Sequence, residues 1–296
     1  MAELIDGRLI AKELRAAVKA QVEVLQGYNV IPGLAVILVG DDPASEIYVR
    51  NKGRAAEKVG VAAQTIRYAA DLSEAEVIAK IAELNADPAI DAILVQSPLP
   101  EHMNEQHIQE AISPEKDVDG FHPENVGKLF ANRHGFFPVA NTPRGVMTML
   151  HHEHVELAGK NAVVVGRSVL VGTPMFALLQ RENATVSLLH KYTPDALRHQ
   201  LLRQADIIVV ATGVPELIKA EDVQPGAVVI DVGINRMEDG HLVGDVDFAA
   251  VEPIAGKITP VPGGVGPMTI ATLLETTVEL AAQHHDVTLE AGWQNI

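Results

Sequence analysis

The chain has no cysteine, so it carries neither a disulfide framework nor thiolate chemistry. No apolar run approaches the roughly 18 residues that a membrane span requires. No Lys/Arg run is present either, and the net charge is −16, whereas a nucleic-acid binder is expected to show a basic face. The N-terminal stretch MAELIDGRLIAKELRAAVKAQV lacks the uncharged core of a signal peptide. Low-complexity tracts and internal repeats are missing as well. These absences point away from nucleic acid and membrane as partners and toward a cytoplasmic protein, although missing cysteine alone does not set the compartment. An anionic small ligand would need a local basic pocket against the global field.

What is present is enough for one large or two ordinary domains: 296 residues, 47% of them hydrophobic. The spacing of Leu4, Leu9, Leu14, Val18, Val22 and Leu25 predicts a helix over 4–26. Leu34–Val39 reads as a buried parallel strand. Asp42-Pro43 is a helix start and Gly60 its end. Ala62–Tyr68 reads as a strand, Ser73-Glu-Ala-Glu76 as a capping box, and Ala92–Val95 as a strand running into Gln96-Ser-Pro-Leu-Pro100. Residues 104–112 read as helix, which completes a small parallel α/β domain. Prolines and glycines over 113–143 suggest a substrate loop and linker. A second βα series follows, with strands at Ala162–Val165, Ala184–Leu189, Asp206–Val210 and Ala227–Val232, helices from Pro174 and Pro194, and a last helix over 267–285.

Tyr48 and Lys52 are four apart on the helix that follows the first buried strand, so they share one face. A helix starting at that edge of a parallel strand points toward the crevice where such folds bind ligands. An amine and a phenol would then enter one pocket; taken alone, the stretch favours an ordinary amphipathic helix with a solvated lysine. In the second half, Gly166-Arg-Ser-Val-Leu-Val-Gly172 occupies the place of a dinucleotide phosphate loop, without the G-x-G-x-x-G spacing. A plain strand–turn–helix connection fits that motif as well. The next strand ends at Leu189-His190-Lys191 with no acid to hold a ribose 2′-hydroxyl. Arg167 and Ser168 can meet a 2′-phosphate, with His190 or Lys191 nearby, which favours NADP over NAD. Ile234 is placed to press on a nicotinamide. The Pro/Gly-rich run Thr259–Thr269 suits close backbone approach to a ligand.

Six stretches in order — Ser45-x-x-Tyr48-Val-x-x-Lys52, Val95–Pro100, Lys116-Asp-Val-Asp-Gly120, Gly166–Gly172, Asp231–Asn235 and Pro260–Thr269 — resemble the bifunctional methylenetetrahydrofolate dehydrogenase/methenyltetrahydrofolate cyclohydrolase family. The resemblance covers roughly Ile5 to Gln283. It implies two α/β domains with an interdomain cleft. Residues 1–142, completed by a helix in 270–296, would form a parallel-sheet catalytic domain that binds folate. Residues 143–269 would form a Rossmann-type NADP-binding domain. It further implies a homodimer, a tetrahydrofolate substrate, oxidation of the 5,10-methylene form with NADP, and hydrolysis of the methenyl product to the 10-formyl form.

Carried over residue by residue, the resemblance makes Lys52 the catalytic lysine and Tyr48 its partner at the folate. Gln96 would hold the lysine and Asp119 the pterin N–H edge. Pro262, Gly263 and Gly266 would lie along the folate, with Thr269 on the nicotinamide side. Gly166, Arg167, Ser168 and Ile234 would contact the dinucleotide. Departures occur at Pro138–Pro143, longer than the usual junction and without its cysteine, at Ser97 in place of leucine, and at Lys191-Tyr192 in place of a serine and a lysine. No metal is expected. His151-His-Glu-His154, the pair Asp117 and Asp119, and the pair Asp245 and Asp247 are read as surface, turn or cap residues. Rival readings are a dehydrogenase-only enzyme, a non-catalytic folate or nucleotide binder, and a shikimate-type dehydrogenase.

Overall fold

The computed structural model describes residues 1–294 and 296. In chain order the elements are β1 (Glu3–Leu4), α1 (Gly7–Gly27), β2 (Gly33–Val39), α2 (Pro43–Val59), β3 (Ala62–Tyr68), α3 (Glu74–Ala86), β4 (Ala92–Val95), α4 (Glu105–Ala111), α5 (Pro123–Phe130) and α6 (Asn141–His152). They continue with β5 (Asn161–Val165), α7 (Gly172–Arg181), β6 (Thr185–Leu189), α8 (Asp195–Leu202), β7 (Ile207–Val210), a 3₁₀ turn at Ala220–Asp222, β8 (Val228–Asp231), β9 (Asn235–Arg236), β10 (Leu242–Val243), α9 (Phe248–Val251), β11 (Lys257–Ile258) and α10 (Val265–His284). Two compact units result. One contains Glu13–Asn141 and Ile270–Gln294; the other contains Met1–Lys12 and Thr142–Thr269.

The first unit is built on three parallel strands in the order β3-β2-β4. Every residue of β2 is buried, as expected of a parallel strand covered on both faces. Ala35, Ile37 and Ile93 pack with Val77 and Ile81 of α3 and Ile108 of α4. Because β2 has β3 on one side and β4 on the other, the strand order reverses between β2 and β4. That reversal is where ligands gather at the carboxyl ends of such sheets. Asp42 caps α2 by accepting from Ser45 N at 2.7 Å, and Gly60 ends it in the left-handed conformation. The Ser73–Glu76 capping box starts α3.

The second unit holds six parallel strands in the order β1-β11-β8-β7-β5-β6. Its core runs from Val163 and Val165 through Ile208 and Val210 to Val229 and Ile258. Here the order reverses between β5 and β7, so the loops after Val165 and Val210 flank the binding crevice of a doubly wound sheet.

Three expectations need correction. The N-terminal helix begins at Gly7, not at residue 4. Glu3 and Leu4 instead pair with Lys257 and Ile258, which places Met1–Lys12 with the second unit's sheet. Leu4 and Leu9 are therefore exposed, and the buried stripe is Ile10, Leu14, Val18, Val22 and Leu25. The passage 113–143 is not all loop. Pro123 is the first residue of α5 rather than a breaker, His122 Nδ1 accepts from Glu124 N at 3.1 Å, and α6 begins at Asn141. Finally, α7 and α10 begin at Gly172 and Val265, so Pro174 and Pro267 lie within first turns, where a missing N–H is tolerated. Among the described residues, no helix is long and apolar enough to cross a membrane.

Candidate active site

Lys52 projects from the middle of α2 and donates from Nζ to Gln96 Oε1 at 2.9 Å. Gln96 is held at the end of β4. Its N–H continues the ladder to Ile37 O at 2.9 Å, and its side-chain amide donates to Ser97 O at 2.7 Å. With the NH₂ so occupied, the amide oxygen is fixed toward the lysine. Ser45, buried at the start of α2, donates to Ser97 O at 3.4 Å and ties the helix to the same loop. Tyr48 stands one turn before Lys52 and leaves 49% of its surface exposed. That exposure suits a ring that meets a ligand better than one that fills a core.

Asp119 supplies the charge. Burial lowers the pKa of Lys52, and the Asp119 carboxylate pulls it back up. Burial pushes Asp119 to about 6, against the ammonium of Lys52, which favours the ionised form. The short loop bearing Asp119 is closed by two features. Gly120 has φ +68, and a Cβ there would come within 2.5 Å of Val139 C, so the chain can pass only without a side chain. Asp117, buried, accepts from His122 N at 2.8 Å and Asn125 Nδ2 at 3.0 Å. Asp117 thus builds the turn, and Asp119 is the carboxylate whose charge acts on the lysine.

Asn141 is a residue the sequence reading did not select. It is 5% exposed, and its Nδ2 donates to Val118 O and to Asp119 Oδ1, each at 3.0 Å. Its Oδ1 accepts from Thr276 Oγ1 at 3.2 Å. Asn141 therefore fixes the Asp119 rotamer from more than twenty residues away in sequence. Its only sequence signal is that it lies in the altered junction Pro138–Pro143.

The remaining selected residues lie in the second unit. Gly166 ends β5 with φ +120, and a Cβ there would fall 2.2 Å from Ala211 O. A Cβ on Gly172 would fall 1.9 Å from Gly166 O. Both glycines are thus required by the tight loop that carries exposed Arg167 and Ser168 into α7. That helix has no side-chain cap at Val171; Thr173 N donates to Ser168 O at 3.0 Å, Met175 N donates to Val171 O at 2.9 Å and Pro174 has no N–H, which leaves Gly172 N for an anion. Ser168 Oγ accepts from Val171 N at 3.2 Å. His190 follows β6, where its N–H donates to Thr193 Oγ1 at 3.0 Å. Across the strand-order reversal, Asp245 accepts from Thr212 Oγ1 at 2.8 Å, Gly213 N at 2.9 Å and Asn235 Nδ2 at 2.9 Å, so it organises loops. Asp247 caps α9 and pairs with Lys219 at 3.1 Å. Among the described residues, no cluster of three His, Cys, Asp or Glu is placed to hold a metal.

Ile234 is half exposed, and its Cδ1 lies 3.6 Å from where a Cβ on Gly266 would be. Gly263, at φ +116, passes beside the Arg8 guanidinium: a Cβ there would be 3.1 Å from Nε. Pro262 precedes it on the exposed rim of the loop. The Thr269 and Thr142 hydroxyls are 2.9 Å apart. A glycine-bounded turn, the Gly172 N–H at the start of a helix and nearby cations fit a dinucleotide phosphate chain. Lys52, Gln96 and Asp119 form a separate set, in the first unit.

Comparison with known proteins bears on both units. The sequence pattern of the tetrahydrofolate dehydrogenase/cyclohydrolase catalytic domain matches residues 5–119, and that of the same family's NAD(P)-binding domain matches residues 140–285. The bifunctional protein FolD of Limosilactobacillus reuteri is 56% identical over 286 residues, which is 96% of this chain and 99% of the relative. The crystal structure of the bifunctional enzyme FolD, a methylenetetrahydrofolate dehydrogenase/cyclohydrolase from Campylobacter jejuni, superposes with a TM-score of 0.93 at 43% identity, covering 96% of this chain and 99% of that one. The Trypanosoma brucei dehydrogenase-cyclohydrolase, solved with NADP and an inhibitor, gives a TM-score of 0.91 at 36% identity, covering 95% and 98%. Matched over both units, this chain belongs to the tetrahydrofolate dehydrogenase/cyclohydrolase family.

Proposed function

We propose that the chain oxidises 5,10-methylenetetrahydrofolate to 5,10-methenyltetrahydrofolate with NADP and then hydrolyses that product to 10-formyltetrahydrofolate. The observation that carries this reading is the set Lys52, Gln96 and Asp119, in which a lysine is desolvated, held by a neutral acceptor and biased by one carboxylate. A protein that only bound folate would have no use for such a lysine.

For the first step the chain supplies binding and alignment. Arg167, Ser168 and the Gly172 N–H at the start of α7 would hold the dinucleotide's phosphates, with Gly166 and Gly172 allowing backbone approach. Ile234 and Thr269 would border its nicotinamide, and the bound cofactor supplies the hydride acceptor. Asp119 would accept from the pterin N–H edge, Tyr48 would cover the ring system, and Pro262, Gly263 and Gly266 would lie along the folate.

The second step is proton handling. Water adds to the methenyl carbon and loses a proton to the neutral amine of Lys52. The C–N5 bond then breaks, N5 takes a proton from the lysine, and the formyl group stays on N10. The second proton of the former water is released, which leaves the lysine as it began. A lysine of ordinary pKa would be almost wholly protonated near neutral pH; burial of Lys52 is what makes the neutral amine accessible.

The NADP-bound relative and the absence of an acid after β6 support NADP over NAD. A cytoplasmic homodimer completes the proposal, and light scattering of the purified chain tests the dimer. The activity is tested by following absorbance of the methenyl product from methylenetetrahydrofolate with NADP and NAD in parallel. We expect production with NADP and at least tenfold less with NAD. No product with either would overturn the reading.

A further inference from the structure

The turn after β6 holds an aromatic ring that the proposed mechanism does not use. Tyr192 is 69% exposed, yet it is not loose. Its N–H donates to His190 Nδ1 at 3.2 Å, and the His190 ring meets it edge-on, with centroids 6.1 Å apart and planes at 71°. Two cations lie over this ring. Arg167 Cζ is 5.9 Å from the centroid, and Lys191 Nζ is 5.1 Å from it. Both distances are within the range where a ring quadrupole attracts a cation. Among the described residues, no carboxylate pairs with either.

Two like charges are gathered beside one ring with no counter-ion, although the chain carries −16 overall and could supply one. The loop also fixes where Arg167 starts, because Thr173 Oγ1 donates to Arg167 O at 3.2 Å. A planar guanidinium and an ammonium that share one ring at the edge of a dinucleotide crevice match a dianion with several acceptor oxygens. The neutral hydroxyl of an unphosphorylated ribose would satisfy neither.

We infer that Tyr192 is a positioning residue that gathers Arg167 and Lys191 into a site for the 2′-phosphate of the dinucleotide. The inference rests on the dinucleotide reading above and adds to it the residue that sets cofactor preference. The ring face does the work, holding both cations in place before the phosphate arrives. The Tyr192 hydroxyl takes no part.

The test is calorimetric titration of the full chain with adenosine 2′,5′-bisphosphate and with 5′-AMP, neither of which carries a nicotinamide. The parent is expected to prefer the bisphosphate, and rising salt is expected to erode that preference. Tyr192→Leu should weaken bisphosphate binding about five- to tenfold while AMP affinity moves by less than about twofold. Tyr192→Phe, which keeps the ring face, should stay within about twofold of the parent for both. AMP binding by Tyr192→Leu shows that the crevice is intact. The inference is overturned if Tyr192→Leu binds the bisphosphate like the parent, if it loses both nucleotides equally, or if Tyr192→Phe loses as much as Tyr192→Leu. A parent that binds neither nucleotide would instead overturn the dinucleotide reading itself.

Discussion

Lys52 is held by one partner and biased by another: its ammonium donates to Gln96 Oε1 at 2.9 Å and feels the carboxylate of Asp119. The neutral partner sets position without stabilising the charge strongly, and the charged partner opposes the effect of burial. Asp119→Asn removes the influence that raises the lysine's pKa. The rising limb of the hydrolysis rate against pH, measured at saturating methenyltetrahydrofolate, should therefore move toward lower pH. An unmoved limb, or one moved to higher pH, would contradict the assignment.

Asn141 offers a test of how Asp119 is aimed. Asn141→Ala leaves Val118 O and Asp119 Oδ1 without their donor in a buried setting. Loss of about 1–3 kcal/mol of stability is expected, read by urea denaturation. Asn141→Asp keeps the size but sets a second carboxylate against Asp119 and should cost at least as much. Equal stability of all three chains would remove Asn141 from the site.

Gly166 allows the two sites to be separated. Alanine there is strained by φ +120, and its Cβ would be forced within 2.2 Å of Ala211 O. Gly166→Ala should abolish dinucleotide binding and oxidation. Cofactor-free hydrolysis of the methenyl substrate should survive, because Lys52, Gln96 and Asp119 lie in the other compact unit. Titration calorimetry and the hydrolysis assay on one preparation check both halves.

Asp231 predicts a pH dependence of stability. It is buried, and burial raises its pKa from 3.8 to about 6 despite N–H bonds from Gly233, Asp245 and Val246. The folded chain thus holds this proton more tightly than the unfolded chain. Its contribution is full below the unfolded value of 3.8 and is lost as pH rises through about 6. Asp231→Asn stays neutral throughout, so its unfolding free energy should fall less between pH 4 and pH 7 than the parent's. Parallel pH profiles from chemical denaturation would refute this.

Much of this architecture was legible in local sequence. The Asp42-Pro43 start of α2, its end at Gly60 and the Ser73–Glu76 capping box depend on neighbours within a few residues. So does the Gly166–Gly172 turn, and the buried β2 shows in its apolar run. What failed to show was long-range. Nothing near Glu3 and Leu4 announces that they pair with Lys257 and Ile258, so a helical period was extended through them. Pro123 belongs to the run of prolines and glycines that suggests a loop until His122 is seen capping the helix it starts. The charge balance at Lys52 needs three segments brought together, and Asn141 acts through partners in the Asp119 loop and on α10. The resemblance pointed to Lys52, Gln96 and Asp119, whereas the physical reason for the lysine's altered pKa lies in burial that only the fold creates.

The central claim is that Lys52 handles the proton in hydrolysis. It is tested most directly by following the decay of methenyltetrahydrofolate absorbance without dinucleotide, for the parent and for Lys52→Met, with folate binding measured alongside. The account predicts that the parent hydrolyses the compound well above the buffer rate. Lys52→Met should lose about 10²–10⁴-fold of that activity while still binding folate. A Lys52→Met chain that hydrolyses at the parent's rate would contradict it.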